Sequence, residues 1–257
     1  MLSKNQIKYL NSLKQKKVRD ELNLFIAEGA KIVPEIIGSS IVMKELYATP
    51  SFLAKQIKLP LNCSVTEISN SDLERISSLT TPNEVLAVCE QREHNLNSLT
   101  FKGKLTLLLD DIKDPGNLGT IVRIADWFGI ETILCSSETV EVYNSKVIQA
   151  TMGSIARVNV HYTNLLDLMQ KNSTSTKLNV YGALLEGDSI YQQKLTSEGF
   201  IIIGNESHGI SKELQSFVST RITIPSFSHL LPTNEGAESL NAAIATAIIC
   251  SEFRRNG

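Results

Sequence analysis

Residues 105–129 read LTLLLDDIKDPGNLGTIVRIADWFG, and the rest of the chain is parsed by reference to this stretch. Leu105 to Leu109 are Leu and Thr only, a run of the kind that fills a strand covered on both faces. Asp110 and Asp111 end it. In Asp114-Pro115-Gly116-Asn117, Pro fixes φ, Gly accepts φ > 0, and Asp and Asn can bond their own backbone, so a reversal is expected there. Beyond it Leu118, Ile121, Val122, Ala125 and Phe128 recur at spacings of three and four, the apolar stripe of a helix that Gly129 can close. Arg123 falls off the stripe, beside Asn117 and Gly119, at the strand end where open α/β sheets hold ligands. The glycine spacing matches neither G-x-G-x-x-G nor G-x-x-x-x-G-K-[ST], so the two common nucleotide fingerprints are missing. Taken alone, the stretch also fits an ordinary strand-to-helix turn with a solvated arginine.

A chain of 257 residues has room for two modest domains or one large one. Hydrophobic content of 42% and charged content of 20% are globular values and exclude a disordered or low-complexity chain. The formal net charge of -2 speaks against a protein that coats nucleic acid without specificity, while leaving a local basic patch open. Cys63, Cys89, Cys135 and Cys250 lie far apart, with no C-x-x-C pair and no Cys/His cluster at metal-ligand spacing, so reduced thiols and no metal are expected. The opening MLSKNQIKYLNSLKQKK has no apolar signal core, and the longest small-apolar run, Ala242 to Cys250, is too short to span a bilayer. The expected location is the cytoplasm, with no membrane partner.

Residues 1–19 carry Lys4, Lys8, Lys14, Lys16, Lys17 and Arg19 without an acidic residue, and Ile7, Leu10 and Leu13 mark a narrow stripe. One basic amphipathic helix is expected, its charges either solvated or set against phosphates. From Leu24 the chain alternates: LFIAEG as strand, Ala30 to Ile37 as helix, VMKELYAT as strand, Phe52 to Ile57 as helix, and CSVTEIS as strand. A capping box at Ser71 to Glu74 opens a helix to about Leu79, and EVLAVCE is a further strand. This defines a small α/β domain over 1–90, a polar linker at 91–103 and a second domain over 104–257. The second domain continues with strand ETILCSS, a helix from Ser145 to Ile155, strand RVNVHYT and a helix from Asn164 to Lys171. Strands LNVYGALLEG, GFIIIGNE and TRITIPS follow, and then a long helix from Glu238 to Arg254. Such alternation predicts a mostly parallel sheet with helices on both faces.

Two further loops lie at the C-terminal ends of buried strands: Ile203 to Ser211, and the segment from Ile224-Pro225 to Glu238-Ser239-Leu240-Asn241. Glycine-bracketed turns and an N-capped helix would explain each separately. Together, N-x-G-T-x-x-R at Asn117 to Arg123, I-I-G-N-E-x-x-G-I-S at Ile202 to Ser211, and I-P with E-S-L-N at Ile224 to Asn241 resemble the three motifs of the SpoU (TrmH) family of RNA ribose 2′-O-methyltransferases. The resemblance covers about residues 104–255. More weakly, K-x-R-x-x-x-x-x-F-x-x-E-G from Lys17 to Gly29 resembles the RNA-binding domain that often precedes it. Two departures stand out: SFSHLLPTNEGA occupies the link between I-P and E-S-L-N, which is usually short, and Pro82-Asn83-Glu84 replaces the usual P-Q-G.

The resemblance implies a SPOUT-type α/β fold, a parallel sheet tied in a trefoil knot, and a homodimer that moves a methyl group from S-adenosyl-L-methionine to a 2′-hydroxyl of ribosomal or transfer RNA. It implies that Gly204, Asn205, Ile224 and Leu240 hold the cofactor, and that Arg123, Asn117, Glu206, Ser239 and Asn241 form the catalytic set. Arg123 as a literal base is awkward, because neutralising a guanidinium of pKa above 12 costs about 7 kcal/mol at neutral pH. Orienting the ribose and stabilising the developing alkoxide suits it better. His208 and His229 fall in the same loops, but methyl transfer needs no second acid. The alternatives are a protein of the same fold that binds RNA or ribosomal particles without transfer, and a Rossmann-type enzyme, which the missing glycine fingerprint disfavours.

Overall fold

The apolar runs become strands of two separate sheets. The computed structural model describes residues 1–93, 96, 99–227 and 237–255, and contacts group the chain into two units: Met1–Glu93 with Glu141–Arg157, and His94–Val140 with Val158–Gly257. Segment 141–157 thus packs with the first unit, although in sequence it falls within the second half.

In the first unit β1 (Leu24–Glu28), β2 (Met43–Ala48), β3 (Ser64–Glu67) and β4 (Val85–Glu90) form a sheet of order β1-β4-β2-β3. β4 runs antiparallel to β1 and β2, and β3 is parallel to β2. Every residue of β4 except Glu90 is buried, as befits an inner strand. The basic segment is not one helix. It breaks into α1 (Lys4–Ser12) and α2 (Lys16–Leu22), and the break has a physical cause. The Arg19 side chain folds back under α1, its Nη1 donating to the carbonyls of Leu13 (3.0 Å) and Lys14 (2.9 Å), groups at a helix end that would otherwise lack partners. Its Nε and Nη2 donate to both oxygens of Glu141. Leu10 and Leu13 are buried against Ile26, Leu73 and Leu86, while Lys4, Lys8, Lys14, Lys16 and Lys17 stay exposed.

Three other boundaries differ from expectation in this unit. α3 (Ile32–Ile37) is followed by a very short α4 (Pro50–Leu53), which has Pro at its start and ends long before Ile57. α5 (Asn70–Ile76) is capped by Ser69, whose side chain accepts from the amide of Asp72, rather than by Ser71, and it stops short of Leu79. α7 (Ser145–Thr151) ends early because Met152 (φ 51°) and Gly153 (φ 99°) are both left-handed. A Cβ on Gly153 would come within 2.6 Å of Glu35 Cγ, so the close approach requires glycine.

The second unit holds β5 (Leu105–Leu109), β6 (Thr132–Cys135), β7 (Asn159–Tyr162), β8 (Val180–Ser189), β9 (Gly199–Ile203) and β10 (Thr220–Thr223). They form one sheet of order β10-β8-β9-β5-β6-β7, parallel throughout. β5 and β9 sit side by side at its centre, in register Leu107↔Ile201, Leu108↔Ile202 and Leu109↔Ile203, and every residue of both is buried. Burial of each such Leu or Ile side chain stabilises by about 2 kcal/mol. On one face α8 (Leu165–Lys171) and α9 (Lys212–Gln215) cover Leu108, Phe200 and Ile202. Toward the other, Tyr181 of β8 meets Phe253 of α10 (Ala242–Arg254) edge-on at 4.8 Å, and α10 packs along α6 (Pro115–Trp127). Asp114-Pro115-Gly116-Asn117 is not a separate reversal but the cap and first turn of α6, with the Asp114 side chain accepting from the Asn117 amide at 2.7 Å. Gly129 (φ 64°) closes the helix as expected, Gly129 N reaching Asp126 O and Ile130 N reaching Ala125 O in a Schellman pattern. α10 begins at Ala242, four residues later than expected, because Asn241 is its cap. No helix among the described residues is long and apolar enough to cross a membrane.

The Arg19 and Glu141 side chains are only 5% and 14% exposed. Glu141→Ala leaves a buried guanidinium without its counter-charge and should destabilise the first unit by about 3 kcal/mol. Urea unfolding followed by circular dichroism checks this; a midpoint equal to that of the unaltered protein would show that the pair contributes nothing.

Candidate functional site

The strand order places β6 and β7 on one side of β5, and β9, β8 and β10 on the other. The order therefore reverses between β5 and β9, which is where an open parallel sheet opens a crevice beyond its strand ends. The loops leaving these two strands are tied together. Asp110 donates its amide to Ile203 O (2.9 Å) and accepts from the Ser211 amide on Oδ2 (2.7 Å). Asp111 takes a left-handed conformation (φ 64°), turning the chain, and its carbonyl accepts from Asn205 Nδ2 at 2.7 Å.

The loop after β9 is built from its own sequence. Asn205 and Gly209 exchange backbone hydrogen bonds of 3.0 Å in both directions, and Asn205 Oδ1 accepts from the amides of Ser207 (2.8 Å) and His208 (3.4 Å). The loop closes so tightly over Gly204 that a Cβ there would lie 2.2 Å from both Gly209 C and Ile210 N. Only glycine fits at this position, and its backbone is left bare toward the space beyond.

A chain of side-chain hydrogen bonds joins all three motifs. Asn241 Nδ2 donates to Asn117 Oδ1 (2.8 Å), and Asn117 Nδ2 donates to Glu206 Oε1 (2.7 Å). The side-chain oxygen of Asn241 caps α10, accepting from the amides of Ala243 (2.9 Å) and Ile244 (3.2 Å). Asn117 is buried and Glu206 half-buried, so these bonds are formed away from most competing water.

Beyond the strand ends lies a cavity of about 490 Å³, a size suited to a nucleoside-containing ligand. Gly204, Asn205, Glu206, Ile224, Ser239 and Leu240 all line it. Asn117 and Asn241 stand behind this wall rather than in it, holding Glu206 and the start of α10. Arg123 is the one site residue set apart: it is exposed, outside the cavity wall, and makes no side-chain hydrogen bond or ion pair among the described residues. Its place beside Asn117 in sequence does not become a contact, since Asn117 faces inward on α6 and Arg123 outward. His208 lines the cavity, 62% exposed, with Nε2 3.6 Å from Asp111 Oδ2; His229 lies outside the described residues.

Sequence reasoning missed the contributions of Asp110, Asp111 and the segment Ala183–Glu186, which also lines the cavity. A pair of acids directly after a fully apolar strand was the available signal for the first two. Nothing in the sequence marked the third. Lys113, between the two tied loops, pairs with Asp111, and this carboxylate raises the lysine pKa further above its usual range. Its amide lies 3.5 Å from Glu206 Oε2. The cysteines are free; burial pushes the Cys250 thiol up to about 12 and that of Cys135, at the end of β6, up as well, so both remain neutral. No cluster of residues suited to a metal ion occurs among the described residues.

A bare glycine backbone, an apolar wall formed by Ile203, Ile224 and Leu240, and flanking carboxylates suit an adenosyl group, whose base wants apolar contact and whose ribose wants acceptors. Fold and site together define a parallel α/β domain with a cavity of nucleoside size at its topological switch point. The chain belongs to the SpoU rRNA Methylase family, whose model matches residues 104–251. Residues 4–87 match the model of the MRM3-like substrate binding domain. Among curated proteins the chain is similar to the 23S rRNA (guanosine(2553)-2′-O)-methyltransferase RlmP of Bacillus subtilis (strain 168), 29% identical over 98% of this chain and 97% of that protein. Among solved structures it is similar to a TrmH-family protein from Porphyromonas gingivalis, 38% identical with TM-score 0.89 over the whole of both chains. An AdoMet-bound rRNA methyltransferase from Sinorhizobium meliloti is 30% identical, with TM-score 0.86 over 99% of this chain and 96% of that one.

Gly204→Ala tests the site directly. Its Cβ has only backbone to push against, so about 3 kcal/mol of destabilisation and loss of adenosyl-ligand binding are expected. Gly209→Ala, where a Cβ would meet nothing within 4 Å and only positive φ is penalised, should cost about 1 kcal/mol. Thermal unfolding and calorimetry of both variants check the order; equal effects would contradict the close-packed loop.

Proposed function

We propose that this protein methylates a ribose 2′-hydroxyl of ribosomal RNA, with S-adenosyl-L-methionine as the donor. The observation that carries the proposal is the Asn241-Asn117-Glu206 chain, which locks three motifs of one methyltransferase family around a nucleoside-sized cavity. Resemblance over nearly the whole chain to an rRNA 2′-O-methyltransferase supports the choice of substrate class.

In this reading Gly204, Asn205, Ile224 and Leu240 hold the donor, largely through backbone groups, and Ser239 stands at the mouth. When bound, the donor supplies an electrophilic methyl on a sulfonium, so the chain needs no metal for the transfer. Glu206 is held in one orientation by Asn117 and keeps the cavity wall in place beside the reacting groups. Arg123 orients the ribose phosphate and stabilises the oxyanion that develops as the hydroxyl attacks. A trefoil knot belongs to the proposal. Ala242, Ala245 and Ile249 of α10 line the same cavity as residues 203–210 and 222–224, which supports a backbone wrapped around the donor.

A homodimer completes the site. Arg123 points out of its own subunit, and the same face of α6 carries Trp127, 84% exposed, while Leu240 and Ile244 are 48% and 53% exposed at the start of the neighbouring α10. Apolar exposure on this scale suits a subunit contact, and across it Arg123 of one chain would reach the cavity of the other. The first unit supplies RNA affinity in this reading, through Lys4 and Lys8, exposed one helical turn apart on α1. Arg19, ion-paired and buried, takes no part. A cytoplasmic location, where ribosomal RNA would be met, is part of the same proposal.

Mapping of 2′-O-methyl groups in ribosomal RNA from cells with and without the gene tests the activity; the loss of one modified ribose is expected, and an unchanged map would leave a binding protein without transfer. In purified protein, Arg123→Ala should keep donor affinity and lower transfer by about 100-fold or more. Mixing equal amounts of Arg123→Ala and Glu206→Ala chains should restore about a quarter of the activity, because half the dimers then carry one complete site of two. No recovery after subunit exchange would place both groups in one chain. Lys4→Ala with Lys8→Ala should weaken RNA binding and reduce the salt dependence by about one to two released ions; an unchanged slope in filter binding at several salt concentrations removes α1 from the interface.

A further inference from the structure

The ionisable side chains lining the cavity among the described residues are Glu186, Glu206, His208, Arg221 and Glu238. Glu206 is engaged by Asn117, and His208 faces Asp111. Arg221 forms no side-chain hydrogen bond or ion pair among the described residues. It is therefore a permanent cation on this wall that no carboxylate among the described residues pairs with.

Its position is set by a break in the sheet. β10 pairs with β8 as Arg221↔Gly182 and then, one residue later, as Ile222↔Asp188, so residues 183–187 leave the ladder opposite this step. An excursion of this kind re-aims the side chains around it. Here it carries Ala183–Glu186 onto the cavity wall and returns against the backbone of Arg221 so closely that a Cβ on Gly187 would lie 2.9 Å from Arg221 C. Thr223 Oγ1 donates to Leu185 O at 3.2 Å and ties the excursion down on its other side.

The donor proposed above ends in an amino acid, with a carboxylate that needs a cation or several N–H donors. Glu186, Glu206 and Glu238 would repel it from the rest of the wall, and no lysine lines the cavity among the described residues. We propose that Arg221 binds the α-carboxylate of the donor's methionyl end, and so decides which end of the cavity takes the amino acid and how the sulfonium is presented. The guanidinium fork matches a carboxylate with two parallel hydrogen bonds, which an ammonium group cannot do in the same way. The inference rests on the methyl-donor reading. It adds a binding residue that lies outside the three motifs.

The test is calorimetry on the full chain with two probes: S-adenosylhomocysteine, and 5′-methylthioadenosine, which keeps the adenosine and sulfur but lacks the amino acid. Arg221→Ala should bind S-adenosylhomocysteine about tenfold more weakly and 5′-methylthioadenosine unchanged, and Arg221→Lys should fall between. Unchanged affinity for the second probe also shows that the variant is folded. Equal losses for both probes, or no loss for either, overturn the role of Arg221 while leaving the donor reading intact. An unaltered protein that binds neither probe overturns the donor reading, and this inference with it.

Discussion

The hydrogen bonds of Asn117 carry more of this site than any other contact. Its amide oxygen takes Asn241 and its amide nitrogen gives to Glu206, so one side chain, donor and acceptor at once, fixes the distance between three loops. A carboxylate at the Asn117 position would leave Glu206 facing a like charge, and an apolar residue would leave two buried polar groups without partners, at about 1–3 kcal/mol each. Because Asn241 is also the cap of α10, the same network sets where the last helix begins. Helix start, cavity wall and motif order are thus one constraint.

The network rests on a sheet whose central strands are closely packed on both faces. β5 and β9 are apolar on both faces and buried throughout, and a slip of one residue would reverse every side chain in them. Rigid strands carrying polar loops at one end are the usual way to hold a site to sub-ångström tolerance. Arg254, at the far end of α10, bonds the carbonyls of Phe128 and Gly129 at the end of α6. This closes the helix pair at one end, as the asparagines close it at the other.

The first unit shows the same economy with charge. Arg19 looks like one more cation of a basic segment, yet it serves as a helix cap and the partner of Glu141. Its burial ties segment 141–157 to residues 1–93, and Arg92 adds bonds from its guanidinium to the carbonyls of Ile155 and Ala156. Arg19 and Glu141, far apart in sequence, thus belong to one unit. The free basic surface of this unit is smaller than the count of lysines and arginines suggests, because Lys16 and Lys17 also have acidic neighbours one turn away.

What the sequence by itself determined is what depends on short-range pattern. The apolar runs at 105–109 and 199–203 can only be buried strands, the stripe from Leu118 to Ala125 can only be a packed helix, and the order of the three motifs identifies the family. The role of Gly129 was equally legible, because local φ decides it. Tertiary structure alone decided the rest. Whether Arg19 is solvated or buried depends on a glutamate 122 positions away. Whether Asn117 faces Arg123 or Glu206 depends on which side of α6 meets the sheet. The residue range that caps a helix depends on which of two nearby serines reaches an amide, as with Ser69 and Ser71, and the excursion at 183–187 depends on how an edge strand meets its neighbour. Periodicity reports which residues are buried; partners separated by a hundred residues are chosen by the fold that brings them together.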